Sequence, residues 1–136
     1  MDECVFCKII NGKLPSYKIY EDQKYLAFLN ISQFLEGQTL VIPKNHYEFV
    51  WDVENVGEYF EIVQRISQHY KNIGYKYVDM MVFGRDIPHA HVRLFPHNDE
   101  KSLYKDSLFR IGELESDTTY MIKPEKAQEL IEKLRL

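Results

Sequence analysis

The sequence predicts one α+β domain, and three observations carry that class. Short runs of strand-forming residues are joined by short loops, one long stretch has helical periodicity, and no repeat, low-complexity tract or linker interrupts the chain. With 136 residues the chain is long enough to bury a real core. Its hydrophobic fraction of 45% includes ten Tyr and eight Phe, which argues against disorder.

The elements follow in order. The segment Cys4–Ile10 halts at Asn11-Gly12, a turn signal. Lys18–Tyr20 reads as a short strand, Glu21-Asp22-Gln23 as a turn and Lys24–Asn30 as a second strand. Ile31–Glu36 is a loop, Gly37 a break, and Gln38–Ile42 a buried strand stopped by Pro43. From Asn55 to Lys71, apolar residues at Val56, Tyr59, Phe60, Val63, Ile66 and Tyr70 fall on one helical face. Asn55 can cap that helix and Gly74 can end it. Tyr77–Phe83 returns as a strand, and Gly84-Arg85-Asp86 turns into the most informative stretch of the chain. Residues 97–119 are polar and carry no clear pattern, and a last amphipathic helix begins near Pro124, using Ala127, Leu130, Ile131 and Leu134.

The informative stretch is His89-Ala90-His91-Val92-Arg93-Leu94-Phe95, between Pro88 and Pro96. In a strand, alternation sends His89, His91, Arg93 and Phe95 to one face and Ala90, Val92 and Leu94 to the other. The two imidazoles and the guanidinium then stand ~6.6 Å apart in a row. A neutral imidazole is a nucleophile or a metal ligand, and Arg forks onto phosphate oxygens. That combination suits phosphoryl or nucleotidyl transfer; a polar face turned to water and a metal site are the other readings of the same spacing.

Charge narrows the classes. Seventeen Lys and Arg against 21 Asp and Glu give a net charge of −4 with no run of like charges. A general nucleic-acid binder, which needs a basic face, is not expected, whereas a single nucleotide needs only a local site. The acidic start (Asp2, Glu3) without a long apolar region argues against a secretory signal, and no apolar run approaches the ~20 residues of a membrane span. A cytoplasmic protein is therefore expected, and there Cys4 and Cys7 read as metal ligands or a redox pair rather than a structural disulfide.

Five blocks in order are similar to the histidine triad (HIT) superfamily of nucleotide hydrolases and transferases: Cys-x-x-Cys-Lys-Ile-Ile, Pro-Ser-Tyr-Lys-Ile-Tyr-Glu-Asp, Leu-Ala-Phe-Leu-Asn-Ile-Ser, Gly-Gln-Thr-Leu-Val-Ile-Pro-Lys-Asn-His and Pro-His-Ala-His-Val-Arg-Leu-Phe-Pro. The resemblance implies an antiparallel sheet of about five strands with two main helices, in one HIT-like domain over 1–136. Its core would be about 4–97, extended by 98–136. It implies a homodimer and a purine nucleotide or nucleotide conjugate as ligand. By position His91 would be the covalent nucleophile on the α-phosphorus, its other N–H held by a backbone carbonyl in the same strand. Arg93 and His89 complete the catalytic set, His89 as a metal ligand or strand organiser. Asn30 would bond the ribose, and Ile19, Phe28, Leu29 and Ile31 would form the apolar slot for the base; core packing is their alternative. The resemblance also implies a structural zinc on Cys4, Cys7, His46 and His89, a closed tetrahedral set of two thiolates and two imidazoles.

The chain departs from the family pattern at three places. Arg93 stands where the signature has a third histidine. It can clamp a phosphate as a permanent bidentate cation but cannot readily give up a proton. This keeps open a second reading, a nucleotide sensor or scaffold that has lost turnover. Asp86 stands where a hydroxyl residue often contacts the leaving group, as an acid, a partner for Arg85 or Arg93, or a surface turn residue. The tail after residue 97 matches no usable pattern, and neither His69 nor His97 is expected in the site.

Overall fold

The computed structural model describes residues 3–33, 35–98, 110, 113–114 and 116–136, in two compact units divided after residue 99. In the first unit a five-stranded sheet has the order β1-β2-β3-β5-β4. Its strands are β1 (Lys18–Glu21), β2 (Tyr25–Leu29), β3 (Thr39–Pro43), β4 (Tyr77–Met81) and β5 (Val92–His97), and every neighbouring pair is antiparallel. Helix α1 (Val5–Ile10) lies on one face of the sheet and α2 (Val56–Asn72) on the other. The second unit contains helix α3 (Pro124–Leu134), with Ala127, Leu130, Ile131 and Leu134 along one side as the sequence periodicity requires. Most of the unpatterned stretch 97–119 lies outside the described residues. No helix among the described residues is long and apolar enough to cross a membrane.

Local chemistry sets the element boundaries. The Asp22 carboxylate accepts from the N–H groups of Lys24 and Tyr25, both at 2.7 Å, and so closes the β1–β2 turn. The Asn55 side chain accepts from the Glu58 N–H at 3.4 Å and starts α2; Gly74, at φ +120°, follows its end. A free helix of this length is marginal in water, so α2 depends on its buried face of Tyr59, Ile62, Val63, Ile66 and Tyr70, each contributing ~2 kcal/mol. Val56, grouped with this face by periodicity, is instead exposed in the first turn.

Alternation along the strands feeds two cores. Tyr25, Ala27, Val41, Val92 and Leu94 pack with Ala90 against α2, while Leu26, Phe28, Leu40 and Ile42 pack against Phe6 of α1. Buried polar groups on the α2 side are paired: the Tyr59 hydroxyl donates to the Val41 carbonyl, and Thr39 Oγ1 bonds both Tyr70 Oη and the Gly37 carbonyl.

Two strand boundaries differ from expectation. β3 keeps Pro43 as its last residue, paired with Tyr25, so the proline ends the strand from inside it. The strand expected from His89 begins only at Val92. The Ala90 N–H donates to the Tyr47 carbonyl at 2.6 Å, and the His89 N–H to Ile87 at 2.8 Å, so this segment bonds a loop instead of a ladder.

Gly37 turns the chain into β3 at φ +92°, and a Cβ there would lie 2.8 Å from Pro96 Cγ. Gly12 also has positive φ (+72°) but open space around it. Gly37→Ala should therefore destabilise by about 1–3 kcal/mol, measured by urea unfolding, and by more than Gly12→Ala. Equal losses would show that the contact with Pro96 is relieved at no cost.

Candidate functional site

The site is assembled from segments far apart in sequence. Cys4 caps α1 and Cys7 lies in its first turn; His46 follows β3, and His89 precedes β5. The ligand atoms of these four residues all lie within 4.8 Å of one another. Cys7 Sγ is 3.2 Å from His46 Nδ1, and His89 Nδ1 is 3.4 Å from Cys4 Sγ and 3.5 Å from Cys7 Sγ. A tetrahedral ion with ordinary metal–sulfur and metal–imidazole bonds sets sulfur and nitrogen ~3.6 Å apart, so these separations fit one.

The second nitrogen of His89 fixes the ring. Nε2–H donates to the Pro43 carbonyl at 2.8 Å, which leaves the Nδ1 lone pair facing the thiols. Burial pushes the His89 pKa down to about 4, keeping the imidazole neutral as metal binding requires. Burial, reinforced by Cys4, pushes the Cys7 thiol up to about 11; its proton would be released to solvent on metal binding. The four residues could thus hold a metal ion.

His91 lies two residues on and is almost fully buried, at 3% exposure. Its Nδ1–H donates to the His89 carbonyl at 2.8 Å, so Nε2 carries the lone pair. Burial lowers the His91 pKa from its ordinary value, and Arg93 acts in the same direction. The ring meets Phe6 edge-on, with centroids 5.4 Å apart.

Phe6 and Arg93 also line an apolar cavity of about 540 Å³. That volume is in the range of small-molecule sites. Phe28, Leu29, Asn30 and Ile31 line it too, so the structure brings together four of the five residues expected around the nucleoside; Ile31 is 93% exposed. Asn30 is held by its neighbours: its Oδ1 accepts from the Ser32 N–H at 3.2 Å and its own N–H donates to Gln38.

Ile19 is the exception. Lys18 pairs with Phe28 but Tyr20 pairs with Ala27, so one extra residue bulges from β1. Ile19 consequently shares with Tyr20 a groove beside Ile62, Ile66 and Arg65 of α2, on the other side of the sheet. Asp86 is exposed in the turn before His89 and is not among the residues lining the cavity. His69 is exposed on α2, and His97 bonds Asp79 at 2.8 Å, away from the metal cluster.

Sequence reasoning missed the wall supplied by Val5, Phe6, Ile9 and Leu14. The available signal was the spacing of Val5 and Ile9, one helical turn apart inside the Cys-x-x-Cys segment.

A family model for the HIT domain matches residues 11–100. The chain is 40% identical over 103 residues to the protein hit of Bacillus subtilis, covering 70% of this chain and 71% of that one. It is 34% identical to the adenosine 5'-monophosphoramidase of Saccharomyces cerevisiae, over 73% of this chain and 65% of that one. Among solved structures, a Zn-bound histidine triad family protein from Mycobacterium smegmatis superposes with a TM-score of 0.65 at 30% identity, over 75% of this chain and 80% of that one.

Cobalt(II) reports directly on the donor set. Titration of the metal-free protein should give thiolate-to-cobalt charge transfer and the intense visible bands of a tetrahedral ion, saturating at one equivalent. Cys7→Ser should abolish the charge-transfer signal or weaken binding steeply, while His69→Ala leaves it unchanged. An octahedral spectrum would reject the four-residue site.

Proposed function

The chain belongs to the HIT family, and from that membership and the setting of His91 we propose that it is a nucleotide hydrolase or transferase working at an α-phosphate through a nucleotidyl-histidine intermediate. The observation that carries this reading is the bond from His91 Nδ1–H to the His89 carbonyl. It fixes the tautomer in which Nε2 is nucleophilic, and the positive Arg93 lies two residues away at the cavity.

We assign the roles on this basis. Phe28, Leu29 and Ile31 receive the base and sugar faces of a purine nucleotide conjugate, and Asn30 offers its amide to the ribose. His91 Nε2 attacks phosphorus, and its Nδ1–H stays on the His89 carbonyl while positive charge develops on the ring. Arg93 faces the non-bridging phosphate oxygens and offsets their charge. Water or another acceptor then displaces the nucleotide from His91. Asp86, exposed in the turn before this strand, is the residue we assign to the leaving group.

Zinc is the metal we assign to Cys4, Cys7, His46 and His89, two thiolates and two imidazoles being a closed structural set; when bound it supplies cross-linking rather than reaction chemistry. Residues 4–97 form the nucleotide-handling core in this reading, and 98–136 extend the same domain. The outer edges of β1 and β4, unpaired among the described residues, favour a homodimer, and a cytoplasmic setting suits free thiols. The second reading, a nucleotide sensor or scaffold with little turnover, is favoured by one observation, the arginine at position 93.

One experiment separates the two. With the nitrophenyl ester of AMP, wild type should release nitrophenolate and show an added AMP mass on the intact protein. His91→Ala should lose about three orders of magnitude in kcat/KM and all of the adduct. Reversible AMP binding with neither product nor adduct would establish the sensor, and unchanged turnover in His91→Ala would remove His91 from the mechanism.

A further inference from the structure

A displacement at phosphorus needs somewhere to put the electron pair of the breaking bond. If the leaving group is an amine, a proton must reach its nitrogen as the bond breaks. If it is a weakly basic oxyanion, none is needed. The proton inventory around His91 therefore bears on the class of substrate.

The imidazoles of His89 and His91 are committed. His91 Nδ1–H is spent on the His89 carbonyl, and Nε2 becomes bonded to phosphorus. His89 Nε2–H is spent on Pro43, while its Nδ1 and that of His46 face the thiols. The next side chain on the His91 face is Arg93, whose guanidinium does not give up a proton. Its Nε is buried with no hydrogen-bond partner among the described residues, it forms no ion pair among them, and its guanidinium carbon lies 5.8 Å from the Phe83 ring centroid. Among the described residues this cation has no counter-charge, which leaves it available to a phosphate.

The other polar residues of the cavity wall come from other segments of the chain. Arg93, Leu40 and Phe28 are in register across β5, β3 and β2, and Tyr17 bonds Leu29 from the start of β1. The backbones of Ser16 and Tyr17 are thus about three strand spacings from that of Arg93, ~14 Å. Asn30, at the end of β2, offers only an amide.

Resting on the reading of His91 as nucleophile, we infer that this site acts on nucleoside monophosphate conjugates whose leaving group departs as a stable oxyanion, such as a carboxylate, sulfate or phenolate. Conjugates joined through a P–N bond are disfavoured. His91 Nε2 forms the P–N bond to the enzyme, the P–O bond to the leaving group breaks, and the electron pair departs on that oxygen without a proton. Water then attacks phosphorus, the electron pair of the enzyme's P–N bond returns to Nε2, and one water proton passes to solvent. Arg93 serves both steps as charge, never as acid.

The test compares kcat/KM for the nitrophenyl ester of AMP with that for adenosine phosphoramidate. Arg93→His supplies an imidazolium, so the ester-to-phosphoramidate ratio should fall about tenfold or more. Arg93→Ala should slow both substrates by about 10²–10³-fold and leave the ratio within about twofold. In unmodified protein, across AMP esters of substituted phenols, rates should fall steeply as the phenol becomes more basic. A flat dependence, or an unchanged ratio in Arg93→His, overturns the inference. So does a tenfold rise of the ratio in Asp86→Asn, which would make that carboxyl the proton source. Absence of both nitrophenolate release and a His91 adduct overturns instead the reading on which the inference rests.

Discussion

His89 is held on three sides, and the site depends on that constraint. One ring nitrogen donates to the Pro43 carbonyl at the end of β3, the other faces two thiols, and the backbone carbonyl receives the His91 Nδ1–H. The residue has 0% exposure, so each bond forms where water cannot replace it and where an unpaired partner would be costly. The same side chain that organises the thiol cluster thus orients, through its own carbonyl, the imidazole beside it. That outcome explains why the segment 89–91 leaves the ladder: a carbonyl bonded to an imidazole and an amide bonded to Tyr47 serve the site instead of a neighbouring strand.

Helix α1 has two working faces. Cys4 and Cys7 point to His46 and His89, while Val5, Phe6 and Ile9 form part of the cavity wall. Phe6 meets His89, His91 and Phe28 edge-on, at centroid separations of 5.4–5.7 Å. A six-residue helix cannot hold itself together in water, so its position is set by what it touches on both sides. The Cys–His cluster and the cavity are in this sense parts of one packed unit.

Much of this was legible in the sequence. Short apolar runs bounded by turn and break residues located β2 and β3, periodicity located α2, and the His-x-His-x-Arg spacing placed His91 and Arg93 on one face with Ala90, Val92 and Leu94 on the other. The four ligands, Cys4, Cys7, His46 and His89, converge although they come from three distant segments. What escaped was set by tertiary geometry. Ile19 follows the alternation of a regular strand, but a bulge that no residue type announces puts it on the α2 side. The contribution of Val5, Phe6 and Ile9 to the cavity depends on where a short helix docks, which its own sequence does not encode. The start of β5 was misplaced because side chains able to bond backbone compete with the ladder.

The convergence of Cys4 with His89 has a consequence for how the chain is made. The two residues are 85 positions apart, so their contact closes a loop containing most of the sheet. Loop closure is entropically unfavourable until the contacts it permits are formed, and contacts of such separation form late. During synthesis α1 emerges well before His89 and is therefore without that partner until the residues just before β5 are made. For that interval its thiols and the apolar side chains of Val5, Phe6 and Ile9 are open to solvent, other chains and chaperones. Helix α1 is thus made long before the residues that fix its place.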